Sequence, residues 1–170
     1  LIEALLTLQR RLTEHGIRTA LIGGLALSVW GAPRLTDDVD LKVLLTRDDA
    51  QRLLDVLGDD YQPMHRDPLG MIHGNAMLFV RNKAGIRIDL ILAEAGFDRQ
   101  AVRRSVEMDI LPGVLAKVVS KEDLIIYKLI SPRLIDIADV ESIVRAQGDA
   151  LDDTYIVKTL REFEQVFDDS

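Results

Sequence analysis

Within residues 19–45 the chain changes its hydrophobic period repeatedly, and a glycine, a proline or an acidic pair marks each change. Thr19–Ile22 is a short apolar run suited to a strand, and Gly23-Gly24 ends it. Apolar residues continue at helical spacing from Gly24 to Trp30, Gly31-Ala32-Pro33 stops them, and a second strand begins within residues 36–45. Strand, Gly-Gly turn, helix and strand in this order predict an α/β fold.

The acids of the second strand carry the chemistry. Side chains on a strand alternate between faces, so Asp38 and Asp40 share one face while Val39 and Leu41 take the other. Two carboxylates aimed at one point repel, and one tends to hold its proton unless a divalent cation sits between them. Hard oxygen donors favour magnesium or manganese. Gly23 and Gly24 let the backbone approach a ligand closely, and they stand where a helix begins, so free N–H groups and the positive dipole end can hold a phosphate. Ser28 follows Gly24 by one turn, near the same phosphates. A phosphate cradle followed by a carboxylate pair points to nucleotide handling with metal-assisted phosphoryl or nucleotidyl transfer.

Gly23-Gly24 followed by Arg34-x-Thr36-x-Asp38-x-Asp40 resembles the signature of the polymerase-beta-like nucleotidyltransferase superfamily. Within it, Gly23-Gly24-x-Ala26-Leu27 through Asp40-Leu41 is most similar to the minimal nucleotidyltransferases of the AbiEii/AbiGii toxin type. The resemblance implies a metal-dependent enzyme that moves a nucleoside monophosphate from an NTP to a hydroxyl acceptor, with Gly23, Gly24, Ser28, Arg34 and Thr36 on the nucleotide. It ranks tRNA or protein as acceptor, with an antitoxin as partner, above a small molecule of the aminoglycoside kind. It also implies a third carboxylate on a later strand. Asp89 suits that role, because a lone acid in the apolar run 86–92 is costly to bury unless paired or metal-bound. The alternative is an Asp89 paired with Arg87 or Lys42 at a sheet edge. Farther on, Lys128-x-x-x-x-Arg133 with Asp136 and Asp139 resembles the motifs that follow the core in the toxin-type proteins, which implies Lys128 on triphosphate and Arg133 and Asp136 near the nucleotide. Read by spacing alone, 133/136 and 136/139 are i,i+3 neighbours on a helix, where Arg133 can pair with Asp136.

Composition narrows the classes. The chain has no cysteine, which excludes disulfides and thiolate metal sites, and no apolar run approaches a membrane span. A cytoplasmic location is the default, and the opening Leu1 leaves room for a missing true start. Of the net charge of −7, residues 121–170 contribute most, with 6 Lys+Arg against 12 Asp+Glu, while residues 1–120 hold 15 against 16. No dominant basic stripe invites nucleic acid; the best basic cluster is Arg99, Arg103 and Arg104. His15, His65 and His73 lack metal-ligand spacing, and the four methionines read as fillers.

The remaining segments complete the expected architecture. Leu5, Leu6, Leu8 and Leu12 mark a helix ended by Gly16, and Thr46 caps another with Leu53, Leu54 and Leu57 as its buried stripe. Residues 61–74 read as a strand near Tyr61 and then a loop, because Pro63, Pro68, Gly70 and Gly74 interrupt them. Runs 75–81 and 86–92 flank Asn82-Lys83-Ala84-Gly85 as a hairpin, and 97–104 reads as a short helix. From Ser120 the chain reads as helical, broken at Ser131-Pro132 and at Gln147-Gly148-Asp149. The expectation is a mixed sheet of five strands with helices mainly on one face, formed by residues 1–120, and a C-terminal helical segment, 121–170, packed on it. A nucleotide-binding module without catalysis is the competing class. A Rossmann fold ranks third, because Gly23-Gly24 lacks a following G-x-x-G and the carboxylate pair comes too early.

Overall fold

The apolar runs assemble into a mixed α/β structure, seen in a computed structural model that describes residues 1–33, 35–94, 96–130 and 134–168. Helix α1 (Ile2–Glu14) buries Leu5, Leu8 and Leu12 completely and ends at Gly16, whose φ of +71° is a turn conformation that suits glycine. Strand β1 (Thr19–Ile22), helix α2 (Gly23–Trp30) and strand β2 (Asp38–Val43) follow in the expected order. A capping box between Thr46 and Asp49 then opens the turn into α3 (Ala50–Leu57), which buries Leu53 and Leu57.

The segment expected to be a loop is a short strand and a helix, β3 (Tyr61–Pro63) and α4 (Pro68–Asn75). The Asp67 side chain caps α4 by accepting from the Gly70 N–H at 2.8 Å, Pro68 stands in the first turn, and Ile72 is fully buried. Gly70 reads as a breaker, yet a β-carbon there would stand 2.1 Å from the capping carboxylate, so the glycine makes room for the cap.

Strands β4 (Met77–Asn82) and β5 (Arg87–Leu92) form the expected hairpin, with Gly85 at φ +80° in its turn. Helix α5 (Gly96–Arg103) leads to a second hairpin, β6 (Val106–Leu111) and β7 (Val114–Val118), which turns at Gly113 with φ +75°. Helices α6 (Lys121–Ile130), α7 (Leu134–Gln147) and α8 (Asp153–Asp168) complete the described chain. Ser120 caps α6 by accepting from the Asp123 N–H at 3.1 Å.

The sheet has seven strands, in the order β3-β4-β5-β2-β1-β7-β6. The two beyond the expected five are β6 and β7, whose apolar stretches Pro112-Gly113 folds against each other. Strands β2 and β5 run parallel, as do β1 and β7, and the remaining neighbours are antiparallel. Val39, Leu41, Val43, Ile88 and Leu90 at the centre are buried. Helices α5 and α6 lie on the Asp38/Asp40/Lys42 face of β2: Lys42 Nζ is 2.9 Å from Asp98 of α5 and lies over the ring of Tyr127 of α6, whose hydroxyl donates to Asp98 at 2.7 Å. Among the described residues no helix is long and apolar enough to cross a membrane.

The capping of α4 is open to a direct check. Asp67→Ala is expected to lower the free energy of unfolding by about 1 kcal/mol, measured by urea denaturation. An unchanged midpoint would show that α4 is held by the burial of Ile72 alone.

Candidate active site

The pairing of β2 with β5 builds the site. In its parallel register Asp40 lies opposite Asp89 and Asp38 opposite Arg87, so alternation along two strands puts all four side chains on one face. One oxygen from each of Asp38, Asp40 and Asp89 lies within 4.8 Å of the other two. Strand β5 is interior, flanked by β4 and β2, so Asp89 does not sit at a sheet edge.

Concentrated negative charge shapes everything around it. Burial first, then the neighbouring charges of Asp38 and Asp89, push the Asp40 carboxyl up from 3.8 to about 6. The Arg87 guanidinium and a hydrogen bond from the Gly24 N–H pull the other way. Gly23, at φ +67°, is pressed against the same carboxylate, and a β-carbon there would stand 1.9 Å from Asp40 Oδ2. Gly24 is as confined, since its β-carbon would meet the Thr36 side chain at 2.8 Å. Thr36 Oγ1 in turn donates to Asp38 Oδ1 at 2.8 Å. The glycines thus bring a helix start onto a carboxylate, where the positive end of α2 offsets its charge.

Asp89 lies close to two other carboxylates and is also paired with Arg87. It belongs to the carboxylate trio, and it also accepts a two-pronged bond from Arg87, Nε to Oδ1 and Nη2 to Oδ2, each at 2.7 Å. Lys42, the other candidate partner, is bound to Asp98 instead. Arg87 is the site residue that sequence reading undervalued. Its signal was the i,i+2 spacing from Asp89, which on a strand means the same face.

Other expected residues are placed differently. The Ser28 hydroxyl turns back to donate to the Gly24 carbonyl at 3.3 Å, one turn down its own helix. Lys128 is buried, with Nζ 3.1 Å from Asp136 and 2.6 Å from Asp139, so these acids converge on the lysine. The apolar run around Lys128 forces that outcome, because a cation there must find an anion. Arg34 and Arg133 lie outside the described residues. Arg99, Arg103 and Arg104 are all exposed, but the charge of Arg104 is partly neutralised: it bonds Asp123 and the Tyr155 hydroxyl and stacks on the Tyr155 ring.

A divalent cation fits this donor set. Three hard oxygen donors converge, and burial, followed by the charges of Asp38 and Asp89, holds the Asp40 carboxyl up toward its protonated form. No protein-family model matches the chain, and no curated protein sequence does. Solved structures do share its fold. A nucleotidyltransferase-like antigenic protein from Paracoccidioides brasiliensis aligns with a TM-score of 0.58 at 18% identity, over 85% of this chain and 75% of that one. The lincosamide antibiotic adenylyltransferase LnuA, with lincomycin bound, aligns with a TM-score of 0.56 at 15% identity, over 83% and 94%. The antibiotic-resistance factor ANT(2")-Ia, in complex with adenylyl-2"-tobramycin, aligns with a TM-score of 0.61 at 17% identity, over 98% of both chains. The fold is therefore nucleotidyltransferase-like.

The raised Asp40 makes a pH-dependent prediction. Between pH 3.8 and about 6 the folded chain binds this proton more tightly than the unfolded one, so stability falls as pH rises through that window. A shift of about two units corresponds to at most about 3 kcal/mol, lost in full above pH 6. Asp40→Asn removes the loss, so in EDTA the variant should melt above wild type at pH 8 and near it at pH 4. Millimolar manganese should raise wild type toward the variant. Equal differences in melting temperature at the two pH values would mean that burial and the neighbouring carboxylates do not raise Asp40.

Proposed function

We propose that this chain transfers a nucleoside monophosphate from an NTP to a hydroxyl group of a small molecule. The observation that carries this reading is the convergence of Asp38, Asp40 and Asp89 from two parallel strands onto one point beside a Gly-Gly helix start. The fold is the setting in which such a trio is expected, and two of the similar structures are adenylyltransferases of antibiotics. Their acceptors are the reason for favouring a small hydroxyl compound. A tRNA acceptor, suggested by the toxin-type motifs, finds less support, because the charge of Arg104 in its best docking patch is already partly neutralised. Nothing in the fold speaks for an antitoxin partner.

In this mechanism Asp38, Asp40 and Asp89 would hold magnesium or manganese, which screens phosphate charge and acidifies the attacking hydroxyl. The protein's own groups do the rest. The Gly24 N–H at the start of α2 serves Asp40, so a phosphate would be drawn there by the positive end of the helix and by the cation that Asp40 would hold. Thr36 keeps Asp38 oriented. As the acceptor oxygen bonds to the α-phosphorus, the bond from that phosphorus to the bridging oxygen breaks and pyrophosphate leaves. A carboxylate oxygen of Asp89 takes the hydroxyl proton. Lys128 supports the site from a distance: it holds α6 to α7, and Ser142, which donates to the Asp139 carbonyl, accepts from the Ala32 N–H of the loop leading to β2.

The test is to incubate the protein with each α-labelled NTP, manganese and panels of small hydroxyl compounds, with bulk tRNA and cell extract in parallel. Label on a small molecule is the expected result. Asp38→Asn and Asp40→Asn should lose both cation-dependent NTP binding and transfer. Asp89→Asn should retain NTP binding yet lose turnover by at least about 100-fold, the pattern of an interaction made mainly in the transition state. Wild-type turnover in Asp89→Asn would remove it from the reaction. Nucleotide binding without transfer to any acceptor would put the non-catalytic module ahead.

A further inference from the structure

Arg87 is placed as a cation of this site and not merely near it. It begins β5 opposite Asp38, grips both oxygens of Asp89 and lies with its guanidinium 5.0 Å from the centre of the Phe79 ring. Phe79 is the cross-strand partner of Asp89 on β4, so stack and fork hold the guanidinium in one plane over the strand pair. The Asp89 side chain is 11% exposed and the Arg87 side chain 41%, so the carboxylate is enclosed and the arginine has solvent on one side. Arg81, which lies opposite Arg87 on β4, turns its own guanidinium away to the Gly85 carbonyl.

The two-pronged bond takes one lone pair on each Asp89 oxygen and sets a fixed positive charge beside them, which opposes the approach of a divalent ion. Among the described residues Asp38 and Asp40 carry no such clamp; Asp38 takes one hydroxyl and Asp40 one backbone N–H. The three acids are therefore unequal, with two open to a cation and the third already neutralised. We propose that Arg87 is the built-in counter-cation of the trio and competes with a second divalent ion for Asp89, so that the Asp38–Asp40 pair loads first and Asp89 loads only when the fork opens. This rests on the cation-binding reading given above. Arg87 is a positioning residue in that scheme, acting through Asp89.

The test is manganese binding to the full chain without nucleotide, followed by the electron paramagnetic resonance of free manganese, for wild type, Arg87→Gln, Arg87→Lys and the double variant Arg87→Gln/Asp89→Asn. Wild type is expected to bind one ion tightly and a second weakly. Arg87→Gln should tighten the second step by at least about tenfold, since a unit charge a few ångströms away is removed. Arg87→Lys, which keeps the charge without the fork, should fall between, and the double variant should lose the gain. A melt in EDTA at pH 8 reads the same device without any ion: Arg87→Gln should melt below wild type and regain the difference in manganese. Equal second-step affinity in wild type and Arg87→Gln, with the first step intact, would overturn the proposal and leave the cation site standing. No binding of manganese by any of the proteins would overturn both.

Discussion

Three carboxylates within 4.8 Å of one another are a standing electrostatic liability, and the surrounding structure is arranged to bear it. Each acid has its own compensation. Asp38 is held by a threonine hydroxyl, Asp40 by the N–H of Gly24 at a helix start, and Asp89 by an arginine fork. The two glycines follow from this, since a side chain at either position would collide with Asp40 or Thr36. What reads in sequence as a turn that lets a ligand approach is a point of close packing within the chain.

Charge is also managed behind the site. The first turns of helix α7 point Asp136 and Asp139 inward to Lys128 while Ile135 and Ile137 face outward, and farther along Ile143 is buried in the ordinary way. Lys42 and Tyr127 share Asp98, and the Tyr127 hydroxyl is pushed far above its ordinary range by burial and by that carboxylate, so it stays a donor. Trp30 at the end of α2 donates to the Val119 carbonyl, and its own carbonyl accepts from Gln147. The helix that meets Asp40 at its start is thereby fastened at its far end to both the sheet and α7.

Much of this was legible in sequence because it depends on local periodicity. Alternation put Asp38 with Asp40, and the burial cost of a lone acid singled out Asp89; neither argument needs a tertiary contact. What was not legible depends on partners remote in the chain. The choice of Lys128 between a phosphate and Asp136 with Asp139 is made by how α7 packs on α6, and no spacing rule contains that. Helix α4 was missed for a different reason. Asp67-Pro68 is a helix start, but two glycines outweighed it, and only the space between Gly70 and the capping carboxylate explains the first of them. The β6–β7 pair lies outside the expected five strands because each strand is short and their pairing is a property of both together.

The parallel register of β2 with β5 has a kinetic side. Asp40 and Asp89 are far apart in sequence, and their strands meet only after the chain between them has closed a long loop, so this pairing belongs to the later events of folding. Repulsion that appears late weighs on the native state more than on the barrier reached before it, and it is felt as faster unfolding with little change in the rate of folding. The charge cluster thus acts as a spring compressed in the last step, and whatever neutralises it lengthens the lifetime of the fold without hastening its birth.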